Sequence, residues 1–175
     1  MEKGNNKPFN IHWLTRTALL LAVTLAFQML GFPQMVTGPA VNAMLLISAT
    51  YAGPTGGIII GILTPLIAFL RGTLAPALAP MIPFIMLGNA VYVLIWAFCR
   101  VLIKNVYAAS VTGIVAGSAI KFFILASAVS LLVTLPLAIS HAMQLPQLYT
   151  ALAGGIIALA IDKALAAAFK KSGKK

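Results

Sequence analysis

Acidic side chains are nearly missing from this sequence: Glu2 and Asp162 are the only two among 175 residues. Histidine is equally scarce, at His12 and His141, and Cys99 is the single cysteine. Paired carboxylates, a nucleophile with its base, and a Cys/His metal cluster all need residues that the chain does not carry. Glu2 and His12 fall in the amino-terminal tail, His141 in a loop and Asp162 near the end of the last apolar run, so they are not expected to converge. The reading is that the chain is not an enzyme, and no motif calls for a cofactor. A lone cysteine excludes an intrachain disulfide, and beside Trp96, Ala97 and Phe98 it reads as a small buried apolar residue. No phosphate-binding glycine loop is present either, so hydrolysis of a nucleotide would have to be done elsewhere.

Charge as a whole is also sparse, at 8% of residues, against 61% hydrophobic and a mean hydropathy of +1.03. A soluble domain of this length needs more polar surface than these residues supply. A helix crossing a bilayer takes about 20 residues, which leaves room for six spans and short loops. The apolar runs are unbroken rather than alternating, which excludes an outer-membrane barrel. A net charge of +10 would suggest nucleic acid in a soluble protein. Here the basic residues cluster at span ends and tails, where they act as topology signals, and no nucleic acid is expected. The first apolar run ends in Gly31-Phe32-Pro33 without a small-residue cleavage site, so it is expected to stay as a helix.

The expectation is an all-α integral membrane protein of the inner, cytoplasmic membrane. It has a polar tail (residues 1–12), one six-helix domain (13–169) and a basic tail (170–175). Spans are expected near residues 13–30, 40–52, 58–70, 84–103, 107–135 and 147–169. Glycine and proline punctuate the stretches between them. Residues 31–39 read as a loop, Gly53 to Gly57 as a tight turn, 71–83 as an irregular proline-rich loop and 136–146 as a further loop. Pro65 predicts a kink in the third span. With both termini inside, Lys3, Lys7, Arg16, Arg100, Lys104, Lys163, Lys170, Lys171, Lys174 and Lys175 fall on or near the cytoplasmic face. Arg71 is then in an outer loop and Lys121 inside a span. That asymmetry fixes the orientation as N-in, C-in.

Lys121 is the most informative residue, because a charge within a span is functional by default. Its position is roughly 21 Å from the cytoplasmic end of the fifth span at 1.5 Å per residue. Two readings stand: a tether to a carbonyl or helix terminus, or a ligand contact in the outer half. Arg71 offers a guanidinium for a carboxylate, against the plain reading of a solvated loop charge. Asn89 carries a buried amide that must find partners, in a neighbouring helix or in a ligand. Gln28, Asn42, Gln147 and Tyr149 also reach the outer half. No carboxylate lies near the midplane, so a self-powered proton-coupled carrier is unsupported.

Small residues form a second pattern. Gly53, Gly57 and Gly61, and again Gly113 and Gly117, read as close packing inside the bundle. Ala18, Ala22 and Ala26 line one face of the first helix, which could instead receive another membrane protein.

Taken together, these features resemble the substrate-binding S components of energy-coupling factor (ECF) transporters, over residues 16–164. The resemblance rests on the alanine stripe, Thr37-Gly38-Pro39-Ala40-Val41-Asn42-Ala43, and the Gly53 to Gly61 turn with Thr64-Pro65. It rests equally on Pro80 to Ala90, Lys121-Phe122, and Leu145-Pro146-Gln147-Leu148-Tyr149. It implies a vitamin site on the outer side, a lid between the first two helices, and docking of the alanine stripe on a transmembrane coupling protein. Two cytoplasmic ATPases would complete the complex and supply the energy. The variant resembles the subgroup often assigned to pantothenate, whose carboxylate would suit Arg71 or Lys121. Pyridoxine, hydroxymethylpyrimidine and riboflavin stay open, though few aromatics in the outer loops disfavour a large flat ring. The alternative from another class is a passive facilitator or channel that works alone.

Overall fold

The computed structural model describes residues 10–172, with side chains described up to residue 168. Glu2, Lys3, Lys7, Lys174 and Lys175 lie outside the described residues, as do parts of both expected tails. The described residues fold into seven α-helices and no strand: α1 (Ile11–Met29), α2 (Gln34–Tyr51), α3 (Gly53–Leu70), α4 (Ile82–Leu102), α5 (Val106–Ser127), α6 (Leu137–Ala142) and α7 (Leu145–Ser172). A 3-10 segment, Pro76–Met81, leads into α4, and a π turn, Ala128–Leu132, extends α5. Among the described residues, five segments are long and apolar enough to cross a membrane: Ile11–Met29, Gly53–Leu70, Pro76–Leu102, Val106–Leu132 and Leu137–Ala168. The protein is an all-α membrane bundle.

The remaining long helix, α2, explains its own lower hydropathy. It packs against α1, α3, α4 and α7, and residues 42, 43 and 45–49 are buried. A helix surrounded by protein can carry Thr37, Asn42, Ser48 and Thr50 without exposing them to lipid. Its core neighbours are Ile60 from α3, Tyr92, Val93 and Trp96 from α4, Ile114 from α5 and Ala151 from α7. Cys99 is buried, as its apolar setting suggests.

Several expected loops are helical. Residues 34–39 belong to α2, so the first connector is only four residues, 30–33. Of the two Gly/Pro pairs here, one alone acts as a break: Gly31 has φ +69°, whereas Gly38 stays helical. Gly38 instead makes room for α7, since a Cβ there would lie 2.8 Å from Thr150 Cγ2. Pro39 lacks an N–H and so forfeits the helical bond to the carbonyl four residues earlier, a loss the helix tolerates. The turn expected over Gly53 to Gly57 contracts to Ala52 and Gly53, whose φ of +79° reverses the chain, and α3 begins there. Gly57 and Gly61 are packing residues, and Gly113 and Gly117 seat against Trp96 and Tyr92. The proline-rich stretch 71–83 contains the 3-10 segment, because Pro76 and Pro80 suit short helical turns better than strands. Likewise 136–146 holds α6, and α7 starts at Leu145, two residues before the expected sixth span.

At the end where α2 and α4 finish, Asp162 joins three helices. Tyr51 donates to its Oδ1 at 2.8 Å, and Arg100 Nη1 lies 3.5 Å from Oδ2 while its guanidinium covers Trp96. Trp13 Nε1 donates to the Ala52 carbonyl at 2.8 Å and ties α1 to the same end.

Candidate functional site

The opposite end of the bundle holds a cavity of about 290 Å³. Gln28, the connector residues Gly31 and Phe32, and the first half of α2 form one side of it. Thr64, Thr73, Asn89, Lys121, Met143 and Gln147 are among those that close the others. Lys121 is the only ionisable side chain in this lining, and Phe32 the only aromatic one.

Lys121 reaches the cavity from α5 and is 4% exposed. Its Nζ donates to Asn42 Oδ1 at 2.6 Å and to Asn89 Oδ1 at 2.7 Å. Each amide is itself fixed. Asn42 Nδ2 donates to the Gly38 carbonyl at 3.0 Å, and Asn89 Nδ2 to the Gly61 carbonyl at 2.9 Å. Each bond takes one of the two N–H donors of its amide and leaves the oxygen aimed at the ammonium, which fixes the way the amide faces. The ring of Tyr92 lies 5.6 Å from Nζ, and its hydroxyl donates to the Ala151 carbonyl at 2.9 Å. An ammonium carries three donors, and two are used here.

The fold permits this convergence through small residues. Gly61 lets α3 approach α4, since a Cβ there would lie 2.9 Å from Asn89 Cβ. Gly154 does the same for α7 and α2: a Cβ would lie 2.6 Å from Asn42 Cβ and 2.7 Å from the Pro39 carbonyl. Both asparagines are thereby held at their backbones as well as at their amides. An ammonium with two fixed neutral acceptors and no carboxylate among its partners can pair with an anion.

The sequence-derived candidates separate cleanly. Asn42, Asn89, Lys121 and Gln147 line the cavity together with Gln28. The two readings of Lys121 merge, because it is tethered and faces the cavity at once. Gln147 Nε2 donates to the Ala142 carbonyl at 3.3 Å. Arg71 caps α3 and is exposed, and Tyr149 is 57% exposed, and both lie outside the lining. Ala18, Ala22 and Ala26 are all exposed, on the side of α1 away from its buried Thr17 and Thr24. Sequence reasoning passed over Gln34, Thr37, Thr64 and Thr73 as lining residues. Their signal was present as hydroxyls and amides near helix ends, but threonine also back-bonds within helices, as Thr64 does to Ile60.

No curated protein and no solved structure matches the chain. One protein family does, described as the substrate-specific component of the ECF transporter, over residues 12–169. That match covers almost the whole bundle, including every cavity residue named above, and the chain belongs to the family of substrate-specific components of ECF transporters.

Proposed function

We propose that this substrate-binding subunit captures a small anionic vitamin from the outer face of the cell membrane, with pantothenate the best-fitting ligand. The observation that carries the reading is Lys121, a buried ammonium held by two asparagine oxygens at a cavity with no other ionisable group. A carboxylate placed against Nζ would complete the charge and take the third donor. At about 290 Å³ the cavity lies just below the range of about 300–1,000 Å³ for small-molecule sites. One aromatic side chain in the lining gives little stacking surface for a flavin. Amides and hydroxyls from Gln28, Thr37, Thr73 and Gln147 suit a ligand with hydroxyl and amide groups of its own.

The basic residues on the side away from the cavity support an N-in, C-in arrangement, with the cavity facing out. Import then depends on a transmembrane coupling protein and two cytoplasmic ATPases, because this chain has no nucleotide-binding motif. Calorimetric titration of the purified protein tests the ligand. Pantothenate should bind and riboflavin should not. Binding of neutral pyridoxine or hydroxymethylpyrimidine with no response to pantothenate would overturn the anionic reading. Mass spectrometry of any co-purifying small molecule gives an independent answer.

A further inference from the structure

Gln28 poses a problem that the cation does not solve. It is the residue that α1 itself contributes to the cavity, the other lining groups from this region being in the connector and α2. Its Oε1 is buried and accepts no hydrogen bond. An enclosed amide oxygen without a donor is a standing penalty in the unliganded protein, and such groups in native structures call for an explanation. Packing does not supply one, since methionine or leucine would fill the same space without the polar atom. The neighbouring amides behave differently: Asn42, Asn89 and Gln147 all have partners.

The layout gives the oxygen a use. Helix α1 packs on α2 and α3, whereas α5, which carries Lys121, packs on α4 and α7. Gln28 and Lys121 therefore enter the cavity from different flanks. The terminal torsion of a glutamine amide is soft, so a small rotation presents Oε1 to a molecule already anchored at Lys121.

We propose that Gln28 is the second polar anchor and a specificity-determining residue. Its amide oxygen accepts a hydrogen bond from a hydroxyl that the ligand carries away from its anionic group. This rests on the anionic reading of the site, and adds that charge alone does not qualify a ligand. A site built to pair a donor rejects the analogue that lacks it, because its own polar group is then left unpaired.

The test compares pantothenate with its dideoxy analogue, N-(3,3-dimethylbutanoyl)-β-alanine, which keeps the carboxylate and amide and lacks both hydroxyls. Each is titrated against wild type, Gln28→Met, Gln28→Leu and Lys121→Met. Wild type should prefer pantothenate. Both Gln28 variants should lose roughly tenfold toward pantothenate and almost nothing toward the analogue. Analogue binding then doubles as the check on folding. Lys121→Met should weaken both compounds alike. If wild type binds pantothenate and the Gln28 variants bind it unchanged, the second anchor is wrong and the anionic reading survives. Equal loss of both compounds in both Gln28 variants also overturns it, since that would be a packing effect. No binding of either compound to wild type sinks the pantothenate reading, and this anchor with it.

Discussion

At the scale of single residues, the site is a problem in desolvation. Burying an ammonium is expensive unless its donors are met. Here two carbonyl oxygens meet them without cancelling the charge, since asparagine contributes a dipole and not an anion. An aspartate at position 42 or 89 would satisfy Lys121 better and would leave nothing for a ligand carboxylate. The near-absence of acids from the chain thus acquires a physical meaning at this point. A charge-assisted hydrogen bond is worth about 1.5–3 kcal/mol, so Lys121→Met should weaken binding of an anionic vitamin about ten- to a hundredfold. Isothermal titration measures this directly. Unchanged affinity in a well-folded Lys121→Met protein would reduce the residue to an internal tether. Asn42 and Asn89 would lose a cation in that variant but keep their bonds to Gly38 and Gly61, so the helices should hold their places.

Secondary-structure elements determine what can move. The segment between α1 and α2 shrinks from the nine residues expected of a loop to residues 30–33, with Phe32 over the cavity and Gln34 already helical. Any lid here would have to be this short connector with its one aromatic side chain, backed by the first turns of α2. Short connectors with few internal bonds are natural gating segments. Spin labels separate the alternatives. A label at Phe32 should lose mobility when ligand binds, whereas one at Met35, on the exposed side of α2, should change little. Equal immobilisation at both positions would mean that the start of α2 orders with the ligand, and no change at either would argue against a gate. The correction has a plain cause. Glycine and proline at 38 and 39 read as helix breakers in sequence, whereas Gly38 serves the contact with Thr150 and Pro39 sits inside α2 at the loss of one helical hydrogen bond.

For the molecule as a whole, the two ends do different work. One end holds the cavity. The other is pinned by Tyr51, Arg100 and Asp162 across α2, α4 and α7. Helix α1 buries little beyond Trp13, Thr17 and Thr24, and shows Ala18, Ala22 and Ala26 to its surroundings. A face with no bulk beyond methyl groups lets another helix come close, and we propose that it receives the coupling protein. Reconstituted alone, the chain should bind ligand without moving it. Uptake into liposomes should appear only with the coupling protein, the ATPases and ATP. Ala22→Trp should abolish that uptake and the pull-down of the coupling protein, with ligand affinity hardly altered. Uptake by the chain alone would instead favour a facilitator, and lost ligand binding with docking intact would place the stripe in the ligand's support.

Much of this was legible from composition, because a bilayer imposes a simple rule on sequence: about 20 apolar residues per helix and basic residues at the ends. Helical class, membrane residence, the special status of Lys121 and the small-residue faces all follow from that rule and from spacing. The family resemblance adds membership among ECF substrate-specific components, which spacing alone does not contain. Tertiary structure alone decided which polar residues share a cavity. Arg71 and Lys121 looked comparable as charges, yet one caps α3 in the open and the other is clasped by Asn42, 79 positions away, and Asn89, 32 positions away. Gln147 and Tyr149 stand two residues apart on one helix and so face in different directions. The sequence records which side chains are polar, whereas their convergence depends on how closely Gly61 and Gly154 let the helices approach, a property of several segments at once.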